Sequence, residues 1–430
     1  MVILVALFVF DTLAVATAMP TVVQALDGLS LYAMAFAGTM ASSIVGMVVA
    51  GTKADASGPR KSLQWGIAWF VAGLVVAGMA PTMWVLLLGR IVQGFGGGLM
   101  SVALYVVVGR VYPAAMHARI FTAFAAAYAL PALIGPAVSG LIVQHAGWRW
   151  VFLSVSVIAV GAAAMVLPSL HGIDPTPSGE VVDTRKRLRV VWAIGAAAGV
   201  LLLHEAGHRH GAVAVSLLAV AISALVVCAR RLLPAGTFCV ARGLPSVIAL
   251  RGIASAAFFG TEVFLPLMLS RERGLSPTLA GMVLTLGALG WSGGSWYRGR
   301  MSHPTPVRVL QVGSGLIAMG VVSVASAAWP ATSVALAMGG WILAGLGMGL
   351  VFPTLSVLTL ELSPPELQGT NSSALQLGGS LFTATVLALV GALFAALLGT
   401  SPTIAYLAGF AFTAALATLG AMLATRVLPI

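Results

Sequence analysis

Apolar stretches of about 20 residues recur fourteen times between Met1 and Ile430. A hydrocarbon layer of ~30 Å is crossed by a helix of about that length. No other feature restricts the fold so strongly. Only 8% of the 430 residues are charged and 60% are apolar, whereas a soluble domain carries about a quarter charged residues. The composition excludes a soluble globular enzyme, a disordered chain and a disulfide scaffold. Fifty glycines suit tightly packed spans. The expected fold is an all-α polytopic membrane protein.

The stretches group as six, two and six. The first six lie near 1–26, 30–50, 62–81, 83–109, 117–143 and 148–168. Two shorter ones lie near 190–204 and 211–229. The last six lie near 245–269, 277–297, 308–329, 333–360, 369–398 and 403–425. The expected organisation is a six-helix bundle over 1–168, a cytoplasmic linker over 169–189, an inserted helix pair over 190–243 and a second six-helix bundle over 244–430. The first stretch lacks a basic leading segment and runs too long for a secretory signal. It begins at Met1 itself, which leaves room for a native start upstream.

The net charge of +11 comes from basic residues scattered over many short loops. Scatter of this kind argues for orientation in a membrane, not for a nucleic-acid partner. With the N-terminus inside, 16 of the 22 Lys and Arg residues fall on inner loops and 4 on outer loops, leaving Arg90 and Arg251 within spans. The bias places both termini in the cytoplasm. Cys228 and Cys239 lie eleven residues apart, without metal-type spacing, and read as packing thiols.

A shift of 251 residues aligns the chain with itself. Gly94, Gly96 and Gly98 then fall on Gly345, Gly347 and Gly349, and Pro113 falls on Pro364. The same shift brings Asp11 over Glu262, the two acids deepest in apolar stretches. Two six-helix repeats are a transporter signature, because alternating access rocks one half against the other.

Asp11 lies about ten residues into the first span, near mid-depth at 1.5 Å per residue. A charge there costs about 2.5–3.5 kcal/mol on insertion scales. Low dielectric favours the neutral acid and a nearby cation favours the carboxylate, so such a group can load and lose a proton as its surroundings change. Glu262 has the same standing in its own half. The bland reading of both is an acid that only holds helices together. Arg90 keeps its charge and needs a carboxylate, carbonyls or water; Asp11 is a plausible partner. Arg251 is read as snorkelling to the interface. Gly135-Pro136 inside the fifth span implies a bend or a close helix contact. Phe258 and Trp291 are candidates for an apolar cavity, with a lipid-facing role as the alternative.

His204-Glu205-Ala-Gly-His208 matches the H-E-x-x-H spacing of zinc proteases. The run sits in a tight outer loop, Gly207 weakens a helix there, and no third ligand is evident. A polar loop is the better reading. No G-x-x-x-x-G-K-[ST] fingerprint occurs, so no cofactor and no enzyme activity are expected.

With these residues in view, the chain resembles the major facilitator superfamily, in particular its fourteen-span drug:proton antiporter branch. The loop Gly51-Thr-Lys-Ala-Asp55-Ala-Ser-Gly58-Pro-Arg60-Lys61 resembles the superfamily's cytoplasmic signature, with Lys53, Ala56 and Pro59 departing from it. The fourth span resembles the R-x-x-q-G-x-g motif through Arg90, Gln93, Gly94 and Gly96. Asp11 to Pro20 resembles the branch's first-helix motif, with Ala16 in place of Asn. Gly135-Pro136 matches the core of the antiporter motif, with Pro131 and Ser139 replacing glycines.

The resemblance implies that Gly51, Asp55, Gly58 and Arg60 help to latch the cytoplasmic side, and that Arg90 takes part in proton transfer. The expected function is secondary active export across a bacterial inner membrane. Proton influx would drive out an amphipathic, cationic compound, with Asp11, Glu262 and Arg90 coupling the proton and Asp11, Glu262, Phe258 and Trp291 meeting the substrate. The partners are then a small molecule, protons and the lipid bilayer, and no sizeable soluble domain implies an obligate protein partner. Rival readings are a dedicated exporter of an endogenous metabolite, antibiotic or lipid, a non-transporting receptor, and the membrane zinc protease.

Overall fold

In a bilayer every backbone polar group needs an internal partner, and the long apolar stretches meet that need as helices. The computed structural model describes residues 1–27, 31–57, 59–168, 184–206, 209, 211–275, 277–301, 305–329, 331–398 and 401–428. Its helices are α1 (Val2–Ala25), α2 (Tyr32–Ser57), α3 (Pro59–Gly78), α4 (Met83–Val111), α5 (Ala114–His145), α6 (Arg149–Val166), α7 (Thr184–Ala206), α8 (Gly211–Leu232), α9 (Leu244–Glu262), α10 (Phe264–Arg273), α11 (Pro277–Arg300), α12 (Pro306–Ser326), α13 (Val334–Glu361), α14 (Gln368–Leu398) and α15 (Pro402–Leu423). No strand occurs among the described residues. Eleven segments of the described chain are long and apolar enough to cross a membrane, and Leu188–Leu203 is a shorter apolar helix.

Local chemistry sets the helix ends. The Thr82, Ser333 and Ser401 hydroxyls accept first-turn N–H groups of α4, α13 and α15, donors that a helix leaves unsatisfied. Gly274 closes α10 in the left-handed conformation, at φ 66°. The expected span 245–269 is divided between α9 and α10 at Val263. Pro266 has no N–H for the Glu262 carbonyl four residues earlier, which accounts for the break. Helix α7 begins at Thr184, not near 190 as the apolar run suggested: the Lys and Arg residues of its first turns are good helix formers.

The glycines aligned by the repeat explain how the helices pack. A Cβ on Gly94 or Gly98 would strike α2 at the carbonyl oxygens of Thr39 and Ser43, and one on Gly96 would strike the α3 backbone at Phe70. In the second half, a Cβ on Gly345 or Gly349 would strike α11 at Gly287 and Trp291, and one on Gly347 would strike α12 at Gly313. Residues i and i+4 share a helix face while i+2 points nearly opposite. A Gly-x-Gly-x-Gly run therefore lets one helix be clasped by two neighbours at backbone distance. The paired prolines also adopt the same conformation, Pro113 at φ −56°, ψ 146° and Pro364 at φ −56°, ψ 147°.

The chain forms two compact units, Met1–Ala114 with Leu130–Leu232 and Ser363–Leu377, and Ala115–Ala129 with Leu233–Leu362 and Gly378–Ile430. In the first, α4 packs between α2 and α3, α6 lies on α1 and α3, and α7 lies on α2 and α8. In the second, α13 packs between α11 and α12, and α15 lies on α12 and α9. Large apolar side chains such as Val157, Ile158, Val160 and Met165 on α6, and Val213, Val215 and Val227 on α8, are exposed. Apolar outer faces of this size suit contact with lipid chains.

A leucine at Gly96 or Gly347 is expected to overpack a backbone contact and cost about 1–3 kcal/mol. A leucine at Gly315, whose Cβ would meet nothing within 4 Å, should be tolerated. Thermal unfolding of the three variants in detergent checks the contrast.

Candidate functional site

Arg90 and Gln93 are three residues apart on α4 and therefore share a helix face. In the first unit they meet Asp11 of α1. Arg90 Nη1 donates to Gln93 Oε1 at 2.7 Å, and Gln93 Nε2 donates to Asp11 Oδ2 at 2.5 Å. Arg90 Nη1 lies 3.7 Å from the same carboxylate oxygen. All three side chains are buried, Asp11 at 3% exposure, Arg90 at 4% and Gln93 at 1%. The Gln93 amide thus bridges a buried ion pair. Asp11 Oδ1 and Arg90 Nε have no hydrogen-bond partner among the described residues.

The support for this cluster is steric. Glycine at position 73 of α3 is what allows the Gln93 backbone to come close, since a Cβ there would strike Gln93 N and Cα. Gly89 likewise rests on Ala77 of α3. Ser139 of α5 donates to the Ala14 carbonyl of α1 at 2.8 Å, and Ala14 and Ala18 pack with Val151. Ser139, which departs from the antiporter motif as sequence, anchors α1 one turn from Asp11. Helix α5 runs through Pro131 and Pro136 without ending, and Gly135 is buried in it.

Gly51, the first residue of the loop signature, ends up in packing. A Cβ there would crowd Ser373 of α14, and Ser373 Oγ donates to the Met47 carbonyl at 2.8 Å. The second unit repeats the arrangement: Thr122 of α5 donates to the Ser295 carbonyl at 2.8 Å, beside Gly299. Thr122 and Ser373 are 251 residues apart, the repeat shift. Asp55 lies in the last turns of α2, Arg60 is half-buried in the first turn of α3, and Gly58 lies outside the described residues.

In the second unit Glu262 is the last residue of α9 and half-buried. Phe258 and Phe259 lie one turn earlier on the same face. Phe258 is buried and stacks on Trp341 at 4.4 Å between centroids, with Trp291 edge-on to Phe258 at 5.5 Å and to Phe352 at 4.7 Å. Phe258 and Trp291 therefore belong to one aromatic cluster. Trp341, the repeat counterpart of Arg90, completes this cluster, a contact across helices that no local spacing in the sequence marks.

Arg251 corrects its interfacial reading. It is buried, its guanidinium lies 3.2 Å from the Phe352 ring centroid, and Nη1 donates to Phe352 O and Ser356 Oγ at 3.4 Å. The aromatic face and the two oxygens hold the charge inside the bundle. Arg298, counted with the inner loops, is buried too and donates from Nε to Thr354 Oγ1 at 2.8 Å. Glu205 of the H-E-x-x-H run pairs with Arg209 at 2.7 Å; His208 lies outside the described residues.

The sequence model described as Major Facilitator Superfamily matches residues 1–385. The chain is 26% identical over 378 residues to the multidrug transporter protein MdtP of Bacillus subtilis (strain 168), covering 85% of this chain and 69% of that one. It is 27% identical over 373 residues to a probable multidrug-efflux transporter of Mycobacterium tuberculosis (strain ATCC 25618 / H37Rv), covering 83% and 78%. Among solved structures, the human organic anion transporter MFSD10 shares the fold at a TM-score of 0.74 and 15% identity, over 98% of this chain and 97% of that one. The proton:xylose symporter XylE does so at 0.70 and 16%, over 100% and 95%.

Replacing Arg90 by Met leaves Asp11 buried without its cation, and breaking one side of a buried pair costs about 3–5 kcal/mol. The double variant Asp11→Leu/Arg90→Met is expected to be more stable than Arg90→Met alone. Unfolding of the single and double variants in detergent measures the coupling.

Proposed function

Since the chain belongs to the Major Facilitator Superfamily and is a multi-pass membrane transporter, we propose that it is a proton-coupled antiporter. It exports amphipathic, cationic small molecules across a bacterial plasma membrane. In this reading it spans the bilayer fourteen times, as six, two and six, with both termini in the cytoplasm. The single observation that carries the proposal is the buried Asp11–Gln93–Arg90 cluster. A carboxylate within a transmembrane segment is costly, and proton relays are among the functions that retain one. The names of the multidrug-transporting relatives support the substrate class.

The cycle follows from charge. With the site open outward, a proton neutralises Asp11, the carboxyl loses its hold on a cationic substrate, and the substrate leaves. Arg90 then has less negative charge beside it and leans on the Gln93 carbonyl oxygen, which it already contacts. With the site open inward, the proton leaves and the regenerated carboxylate takes the next substrate. Glu262, above the aromatic cluster of the second unit, performs the same exchange in its own half, and Phe258 and Trp291 offer the substrate's apolar part a stacking surface. In this reading the hydroxyl contacts of Ser373 with α2 and of Thr122 with α11, which join helices of different sequence repeats, open and re-form as the transporter alternates.

In proteoliposomes with an imposed pH gradient, Asp11→Asn is expected to abolish gradient-driven efflux of a lipophilic cation while the protein still binds it weakly. Full proton-coupled efflux by this variant would take Asp11 out of the mechanism. In a background with Cys228 and Cys239 replaced by Ser, the pair Gly51→Cys/Ser373→Cys is expected to cross-link under oxidation and to stop transport until reduced. Undiminished flux in the cross-linked protein would show that this contact need not open.

A further inference from the structure

The inserted pair α7–α8 plays no part in the cycle above, yet it carries a distinctive surface. Its helices meet closely because Gly195 and Gly199 of α7 face Cys228 and Leu225 of α8. Beside that seam runs an open groove of about 560 Å³, lined by Trp192 of α7 and by small or short side chains of α8, among them Ala219, Ser223, Ala224, Val227 and Cys228. The lining is almost wholly apolar, and the groove is shallow and open along its length.

One end of the groove is strongly basic. Arg230 and Arg231 close α8 and are exposed. The Arg231 guanidinium lies 5.7 Å from the Trp192 ring centroid. Arg189, half-buried, ties the helices together by donating to the Leu232 carbonyl at 3.2 Å. Among the described residues of the pair the sole carboxylate is Glu205, at the far end of α7, and it is paired with Arg209. The basic end is thus unbalanced by any acid of the described pair, while the groove next to it is apolar.

We propose that α7 and α8 form a binding site for an anionic phospholipid. One acyl chain lies in the groove against Trp192 and Ala224, and the phosphate sits between the guanidinium groups of Arg230 and Arg231. Basic pockets between transmembrane helices hold anionic headgroups in this way, and the wide-faced tryptophan marks the level where chain meets headgroup. A zwitterionic lipid offers the same chain and phosphate but carries a cation of its own, which the two arginines repel.

Native mass spectrometry of the full chain, released from micelles with equal amounts of dioleoyl phosphatidylglycerol and dioleoyl phosphatidylcholine, tests the proposal. The wild type is expected to retain phosphatidylglycerol with about a tenfold preference. R230Q/R231Q should retain one fewer phosphatidylglycerol per chain, and A224W, which fills the groove and leaves the charges, should lose the same molecule. Equal retention of the two lipids by the wild type would overturn the site. So would an unchanged phosphatidylglycerol count in a folded R230Q/R231Q protein. Loss in R230Q/R231Q with none in A224W would overturn the groove and leave only adsorption at the surface charges. If neither variant folds, the wild-type competition alone decides.

Discussion

Helix against helix at backbone distance is the contact on which the rest of the molecule depends. Between lipid-embedded helices there is no hydrophobic drive, so close packing of small residues replaces it. The Gly94, Gly96 and Gly98 run presses α4 onto α2 with two residues and onto α3 with the third. That clasp fixes the rotation of α4, and rotation decides where Arg90 and Gln93 point. Gly73 on α3 completes the constraint by admitting the Gln93 backbone. The ion-pair cluster is therefore a product of steric economy several residues away from its charges.

The two halves keep the same scaffold and diverge in chemistry. Gly345, Gly347 and Gly349 repeat the clasp of α13 between α11 and α12, and the prolines at 113 and 364 share one backbone conformation. At the position of Arg90 the second half carries Trp341, which stacks on Phe258. Charge in one half thus corresponds to aromatic surface in the other. Arg251 adds a cation to that aromatic surface, held on the ring of Phe352.

The departures from sequence expectation have a common cause. The place of Arg251 near a helix start points to the interface, but the neighbouring α13 supplies a ring and two oxygens that no local pattern announces. Arg298 enters the bundle through Thr354 in the same manner. Helix α9 stops at Glu262 through Pro266, a signal present in the sequence but masked by the unbroken hydropathy around it. Gly51 and Ser139 stand in motif positions of the sequence; in the structure one is a packing surface and the other a hydrogen-bond donor.

Apolar run length and the scarcity of charge were enough to determine an all-helical membrane chain, charge within apolar spans singled out Asp11 and Arg90, and the resemblance of the fourth span to a known motif added Gln93. Those properties are written in one dimension, since a bilayer constrains each segment by its own length and polarity. Tertiary structure alone decided that Gln93 bridges Asp11 and Arg90, that Trp341 joins Phe258 and Trp291, and that α7 and α8 leave a groove beside Arg230 and Arg231. Those arrangements depend on the rotation and separation of neighbouring helices, which are set by contacts between residues far apart in the chain.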